Sequence, residues 1–211
     1  MKTFWCLMLM LAIALMLGGT ALAQGDNSDY FTVYYSNANT ANAPDATVRV
    51  INDGGATISD GCVPDQECAP QNGSPLSNLY ASIYVFDDSE ELTECCSCLV
   101  TPDGLLSESV NKNLTANPLT SIKPTRGVIK IISSSTESDI TTNFAPNTPT
   151  AGLRAWATHV QKLTSGFALS ETLFADSNLA PSEESLIEEL CVFDHQLSGK
   201  PCTCTPEDQD F

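Results

Sequence analysis

The sequence predicts a mainly β protein: an antiparallel β-sandwich of Ig-like layering, closed by one C-terminal helix and stapled by disulfides. Three observations carry this expectation. Short β-branched and aromatic runs recur between Gly, Pro and Asn turn clusters, with no helices alternating between them. Apolar residues make up 42% of the chain and charged residues only 17%, too apolar for a disordered chain and too poor in charge for a helix-rich fold. Only one stretch, near the C-terminus, combines helical apolar spacing with acids at its start.

The elements follow in order. Phe31–Tyr35 reads as a strand, and Ala46–Ile51 alternates as a second, ended by Asn52-Asp-Gly-Gly55. Ile58–Asn78 is a long loop. Leu79–Phe86 is the strongest strand: Tyr80, Ser82 and Tyr84 share one face, while Leu79, Ala81, Ile83 and Val85 share the other. An acidic turn, Asp87–Glu91, returns the chain into Leu92–Val100, a strand carrying three cysteines. Thr101-Pro-Asp-Gly104 is a β-turn in which proline presets φ and glycine accepts positive φ. Leu105–Leu114 and Gly127–Ile132 read as strands, and Ser133–Thr150 as a Ser/Thr/Asn/Pro loop. Leu153–Leu163 and Phe167–Phe174 form a hairpin through Thr164-Ser-Gly166. The helix begins with Ser182 as N-cap, and Leu186, Ile187, Leu190, Cys191 and Leu197 make one apolar stripe that ends at Gly199.

Residues 1–23 read as a secretory signal peptide. Lys2 is the positive start, Phe4–Leu17 the uncharged apolar run, and Ala21-Leu-Ala23 the small-x-small site before Gln24. The apolar run is short for a membrane span, and its only cysteine, Cys6, sits too early for a lipid anchor. The organisation expected is a signal peptide over 1–23, a β-sandwich with its helix over 24–198, and a Cys-tethered acidic tail over 199–211. The mature chain is expected to be secreted or periplasmic, with no membrane insertion after cleavage.

The formal net charge is −17. That argues against nucleic acid and anionic lipid, which select positive surfaces. The charge is uneven: Val50–Val110 holds eleven acids and no Lys or Arg, while Asn111–Lys162 holds six basic residues against two acids.

Of nine cysteines, Cys6 leaves with the leader, so the mature chain has eight: Cys62, Cys68, Cys95, Cys96, Cys98, Cys191, Cys202 and Cys204. An even number in an exported chain reads as disulfides. Cys62 and Cys68 share one Pro-containing loop and close on each other. Adjacent cysteines rarely bond each other, so Cys95, Cys96 and Cys98 are expected to reach Cys191, Cys202 and Cys204 in three long-range bonds. Strand alternation puts Cys96 and Cys98 on one face and Cys95 on the other, so one bond leaves the sheet on the opposite side, a strain unless a bulge intervenes. The competing reading is zinc held by Cys-Cys-x-Cys and Cys-x-Cys thiolates, or a redox pair within Cys95–Cys98.

Other chemistry is thin. His159 and His195 each read as structural or surface residues. No nucleophile elbow, phosphate loop, dinucleotide fingerprint or His-Glu-x-x-His is present, so no catalytic residue and no cofactor are assigned. Asp87–Glu91 could offer oxygens to calcium but lacks the spacing of a calcium loop. Asn72-Gly-Ser74 and Asn113-Leu-Thr115 match the glycosylation pattern.

Leu79–Asp88 and Glu94–Gly104, together with Leu114–Thr120, Leu153–His159 and Cys202-Thr-Cys204, resemble an uncharacterised family of exported, cysteine-rich bacterial proteins. The resemblance spans most of the mature chain. It implies export and a shared fold, and brings no activity or site residue.

The function expected is an exported, disulfide-stabilised structural or binding module rather than an enzyme. A cell-envelope protein or glycan is the candidate partner. The alternatives are an exported hydrolase using loop carboxylates, and a calcium- or zinc-binding protein. Fold alone does not separate these.

Overall fold

The computed structural model describes residues 29–54, 78–136, 149–198 and 204. The leader, Cys62, Cys68, Asn72, Cys202 and nearly all of the tail lie outside the described residues. Among the described residues there are nine strands: β1 Tyr30–Ser36, β2 Thr47–Asn52, β3 Leu79–Asp87, β4 Leu92–Val100, β5 Leu105–Ser109, β6 Arg126–Ser134, β7 Leu153–Lys162, β8 Phe167–Leu173 and β9 Ala175–Asp176. One helix follows, α1, Pro181–Ser198. The strands form two sheets, ordered β4-β3-β6-β1-β9 and β5-β2-β7-β8. Every described strand pair is antiparallel. The expected antiparallel sandwich with a C-terminal helix is therefore present, in the two-sheet layering of Ig-like domains.

The core follows from strand alternation. Phe31, Val33 and Tyr35 of β1, Leu79, Ala81, Ile83 and Val85 of β3, and Ile129 and Ile131 of β6 point inward. They meet Val48 and Val50 of β2, Leu106 of β5, and Leu153, Ala155 and Ala157 of β7. The first sheet is also covered on its outer face. There Tyr30, Tyr84, Leu92, Cys95 and Ile132 pack with Ile187 and Cys191 of α1. A sheet buried on both faces explains why β3 is apolar along nearly its whole length.

Four local expectations need correction. The strand expected over 105–114 stops at Ser109, and Val110–Leu114 winds into one π-helical turn. Val110 and Leu114 are both buried, so the turn keeps its two apolar ends in the core. Ser109 Oγ accepts from the Lys112 amide, and the Asp45 carboxylate accepts from Ser109 Oγ and the Asn111 amide. Ser133 and Ser134, read as loop, are buried members of β6; Ser133 Oγ donates to the Thr150 carbonyl. In the 101–104 turn Asp103, not Gly104, takes positive φ (57°). Gly104 is needed for space instead, because a Cβ there would lie 2.7 Å from the Thr101 carbonyl oxygen. The helix starts at Pro181 rather than being capped by Ser182. The Glu183 and Glu184 amides donate to the Ala180 carbonyl, and proline tolerates a first position where no amide partner exists.

The Asn113 sequon is folded into that π-turn. Asn113 Nδ2 donates to Glu108 Oε2 at 2.7 Å, and the fully buried Thr115 hydroxyl donates to the Val110 carbonyl at 2.6 Å. Both groups that glycosylation must reach are engaged in the folded chain.

Candidate functional site

Chemistry-bearing residues concentrate along β4, the edge strand of the first sheet. Its pairing with β3 is regular from Leu79↔Val100 to Val85↔Glu94, then shifts between Val85 and Phe86, leaving Thr93 as a bulge. The bulge turns Leu92 to the outer face with Cys95, although the two residues are three apart. The cysteines themselves keep strict alternation: Cys95 faces out, Cys96 and Cys98 face in.

Two disulfides join this strand to the C-terminus. Cys95 bonds Cys191, with Cα atoms 5.9 Å apart and a sequence separation of 96. Cys98 bonds Cys204, with Cα atoms 5.4 Å apart and a separation of 106. The conflict expected from opposite faces does not arise, and no bulge at the cysteines is needed. An edge strand can be approached from both sides: α1 lies on the outer face at Cys95, and Cys204 reaches the inner face at Cys98. Cys96 is also disulfide-bonded. Its sulfur lies 3.9 Å from Cys98 Sγ. The other four described cysteines are paired with one another, so the partner of Cys96 is outside the described residues.

Among the described residues, two groups of three side chains have ligand atoms within 4.8 Å of one another: Cys95, Cys191 and His195, and Cys96, Cys98 and Cys204. Every cysteine in them is oxidised. Thiolate ligation of zinc needs these sulfurs reduced. The acidic turn is otherwise engaged. Asp87 Oδ1 accepts from the Ser89 and Glu91 amides at 2.8 and 3.1 Å, and Asp88 pairs with Arg126.

The histidines hold structure. His195 is buried, and its Nε2 donates to the Cys95 carbonyl at 3.3 Å, beside the disulfide that pins its helix. His159 is buried on β7, with Nε2 2.5 Å from Thr172 Oγ1 and its ring stacked on Tyr34 at 4.2 Å. Burial pushes the His159 pKa below the ordinary imidazole value, so the neutral ring is the folded form.

The helix is fastened at its start as well. Lys130 on β6 forms an ion pair with Glu183, whose carboxylate also accepts from the Tyr30 hydroxyl at 3.4 Å. Lys130 Nζ lies 5.2 Å from the centre of the Phe86 ring. The single apolar stripe expected on α1 is divided between two faces. Ile187 and Cys191 are buried against the sheet, with polar Glu188, Asp194 and His195 completing the inner face. Leu186, Phe193 and Leu197 point the other way and are 53%, 57% and 57% exposed.

Asp194 is 3% exposed, and among the described residues neither carboxylate oxygen has a hydrogen-bond partner. Burial pushes its pKa up, and neighbouring His195 only partly offsets this. A carboxyl whose pKa is raised on folding favours the fold fully below its ordinary value of about 3.9, and that contribution is lost as pH rises through the folded value. Asp194→Asn is therefore expected to raise stability at pH 7 by on the order of 1 kcal/mol. The gain should shrink as pH falls toward 4, as read from paired thermal melts.

The structure thus defines an antiparallel β-sandwich with a covalently docked C-terminal helix, in an acidic, cysteine-rich chain. No protein-family model matches the sequence, and no curated protein matches it either. Protein 1070 of Thermotoga maritima, known from a crystal structure, is similar over 74% of this chain and 99% of its own, at 11% identity and a TM-score of 0.39. A likeness of that size carries no argument. Among the described residues, no helix is long and apolar enough to cross a membrane.

Proposed function

We propose that this chain is an exported, disulfide-stapled binding module, and that the outer face of α1 is its contact surface. One observation carries the reading: α1 is locked to the sheet by Cys95–Cys191, yet leaves three large apolar side chains facing away from it. Single exposed apolar residues are ordinary, whereas a contiguous set on one element marks an interaction surface. The signal-peptide pattern, the oxidised cysteines and the resemblance to exported cysteine-rich proteins support export. In this reading the remaining cysteines pair as Cys96–Cys202 and Cys62–Cys68.

The test uses the purified mature protein. Incubated with a panel of envelope and plant polymers, it is expected to release no soluble product. Its melting temperature is expected to be unchanged by calcium, zinc or a chelator. Robust turnover would replace this reading with a hydrolase, and a metal-dependent melt would replace it with a metal protein.

A further inference from the structure

We propose that the outer stripe of α1 docks a basic amphipathic helix of a protein partner, an inference that rests on the binding-module reading and names its partner. At about 3.6 residues per turn, Leu186, Leu190, Phe193 and Leu197 fall on one narrow stripe with the 4-3-4 spacing of a coiled-coil seam. Leu190 is half-buried at the floor, while Leu186, Phe193 and Leu197 stand out from it. An open groove of about 520 Å³ runs along the first two turns of this stripe, lined by Leu186, Glu189, Leu190, Val192, Phe193 and Gln196. The stripe spans about three helical turns, so a helix of three to four turns covers it.

The helix cannot roll to bury this stripe itself. Cys95–Cys191, the Lys130–Glu183 ion pair and the His195–Cys95 hydrogen bond each fix its rotation. The exposed face is therefore a standing feature of the fold.

Charge selects the occupant. Of the acids on α1, Glu188 and Asp194 are buried on the inner face and Glu183 is paired with Lys130, but Glu189 is exposed on the outer side, and the helix has no Lys or Arg, within a chain of net charge −17. Glu189 lines the groove itself. A second copy would bring another Glu189 and another large negative charge, with no cation on its own helix to meet them. An anionic lipid surface is repelled in the same way. A glycan would meet only Glu189 and Gln196 as polar partners here, against three leucines and Phe193 along the stripe. A partner helix with apolar residues at the matching spacing and Lys or Arg on their flanks satisfies both the stripe and the charge.

The test titrates the oxidised mature protein with two fluorescent peptides of the length of α1. Both carry Leu at heptad a and d positions; one has Lys at e and g, the other Glu. The Lys peptide is expected to bind, more weakly as salt rises, and the Glu peptide not to bind. Phe193→Asp, checked by its melt to be folded, is expected to weaken the Lys peptide by about tenfold or more. Leu186→Ser gives a second, milder variant at the same stripe. Equal binding of both peptides, binding of neither, or binding unaffected by Phe193→Asp would each overturn the proposal. So would a concentration-dependent dimer in sedimentation that Phe193→Asp abolishes, because the occupant is then a second copy. Failure of the broader reading looks different: turnover or a metal-dependent melt overturns the binding module, whereas an inert protein that ignores the Lys peptide overturns the partner chemistry alone.

Discussion

Replacing Cys95 and Cys191 together by alanine is expected to destabilise the fold by about 3 kcal/mol. Cys98–Cys204 already ties β4 to the C-terminus, so Cys95–Cys191 closes a further loop of only about 16 residues, and in the chain-entropy model a cross-link of that span restricts the unfolded chain by about this much. Packing adds to it, because Ile187, Tyr84 and Ile132 share the cluster around the bond and lose their cover when α1 frays. Against a typical total of about 5–15 kcal/mol, this is a large share of the stability of the domain. A fall in melting temperature on the order of 10 °C follows for a chain of this size. Limited proteolysis should then cut within α1 while the two sheets stay resistant. An unchanged melt with α1 still protected would show that the helix is held by packing alone.

Gly127→Ala is expected to be at least as damaging, by a different route. Gly127 lies on β6 between β3 and β1, opposite Asp87 and Tyr35. A Cβ there would fall 1.9 Å from the Phe86 carbonyl oxygen, 2.8 Å from the Tyr35 hydroxyl and 2.9 Å from the Asp87 Cα. Two of the three obstacles are backbone of a neighbouring strand and cannot swing away. The third, Tyr35, donates its hydroxyl to the same Phe86 carbonyl at 3.2 Å, so relieving the clash also breaks that bond. Overpacking of a filled site costs about 1–3 kcal/mol and occasionally more; a collision this close should reach or pass the upper end. Gly166→Ala is the contrast. Gly166 has φ near 80° but nothing within 4 Å of a Cβ, so only backbone strain of roughly 1–2 kcal/mol is expected. A melt that ranks the two in the opposite order would refute the packing argument.

The strands were the most legible part of the sequence, because alternation is a local signal that survives folding. Leu79, Ala81, Ile83 and Val85 face the core as their spacing says, and β4 occupies the stretch Leu92–Val100 expected of it. Clustering of the cysteines also predicted that the centre of the chain is tied to its C-terminus, and two such ties are present. Which partner each cysteine takes was not legible, since it depends on β4 lying at a sheet edge, a property of topology. The π-turn was missed because Val110 continues the alternation of β5, while the carboxylate that organises the turn, Asp45, is distant in sequence. The split of the helix stripe was missed for a related reason. Leu186 and Ile187 look equivalent in sequence, but an angle of about 100° separates them, and the disulfide at Cys191 chooses which one is buried. The inner face then accepts Glu188, Asp194 and His195, which no apolar pattern announces.

Mapping the disulfides of the non-reduced protein shows whether α1 is covalently docked on β4. No Lys or Arg lies between Val50 and Val110, so trypsin leaves Cys62–Cys98 on one fragment; cleavage after Glu94, followed by gas-phase fragmentation, can separate Cys95 from Cys98. Cys95 should be linked to Cys191 and Cys98 to Cys204, with no thiol open to alkylation before reduction. Free thiols at these positions with a metal ion bound, or Cys191 linked to any cysteine other than Cys95, would contradict that docking.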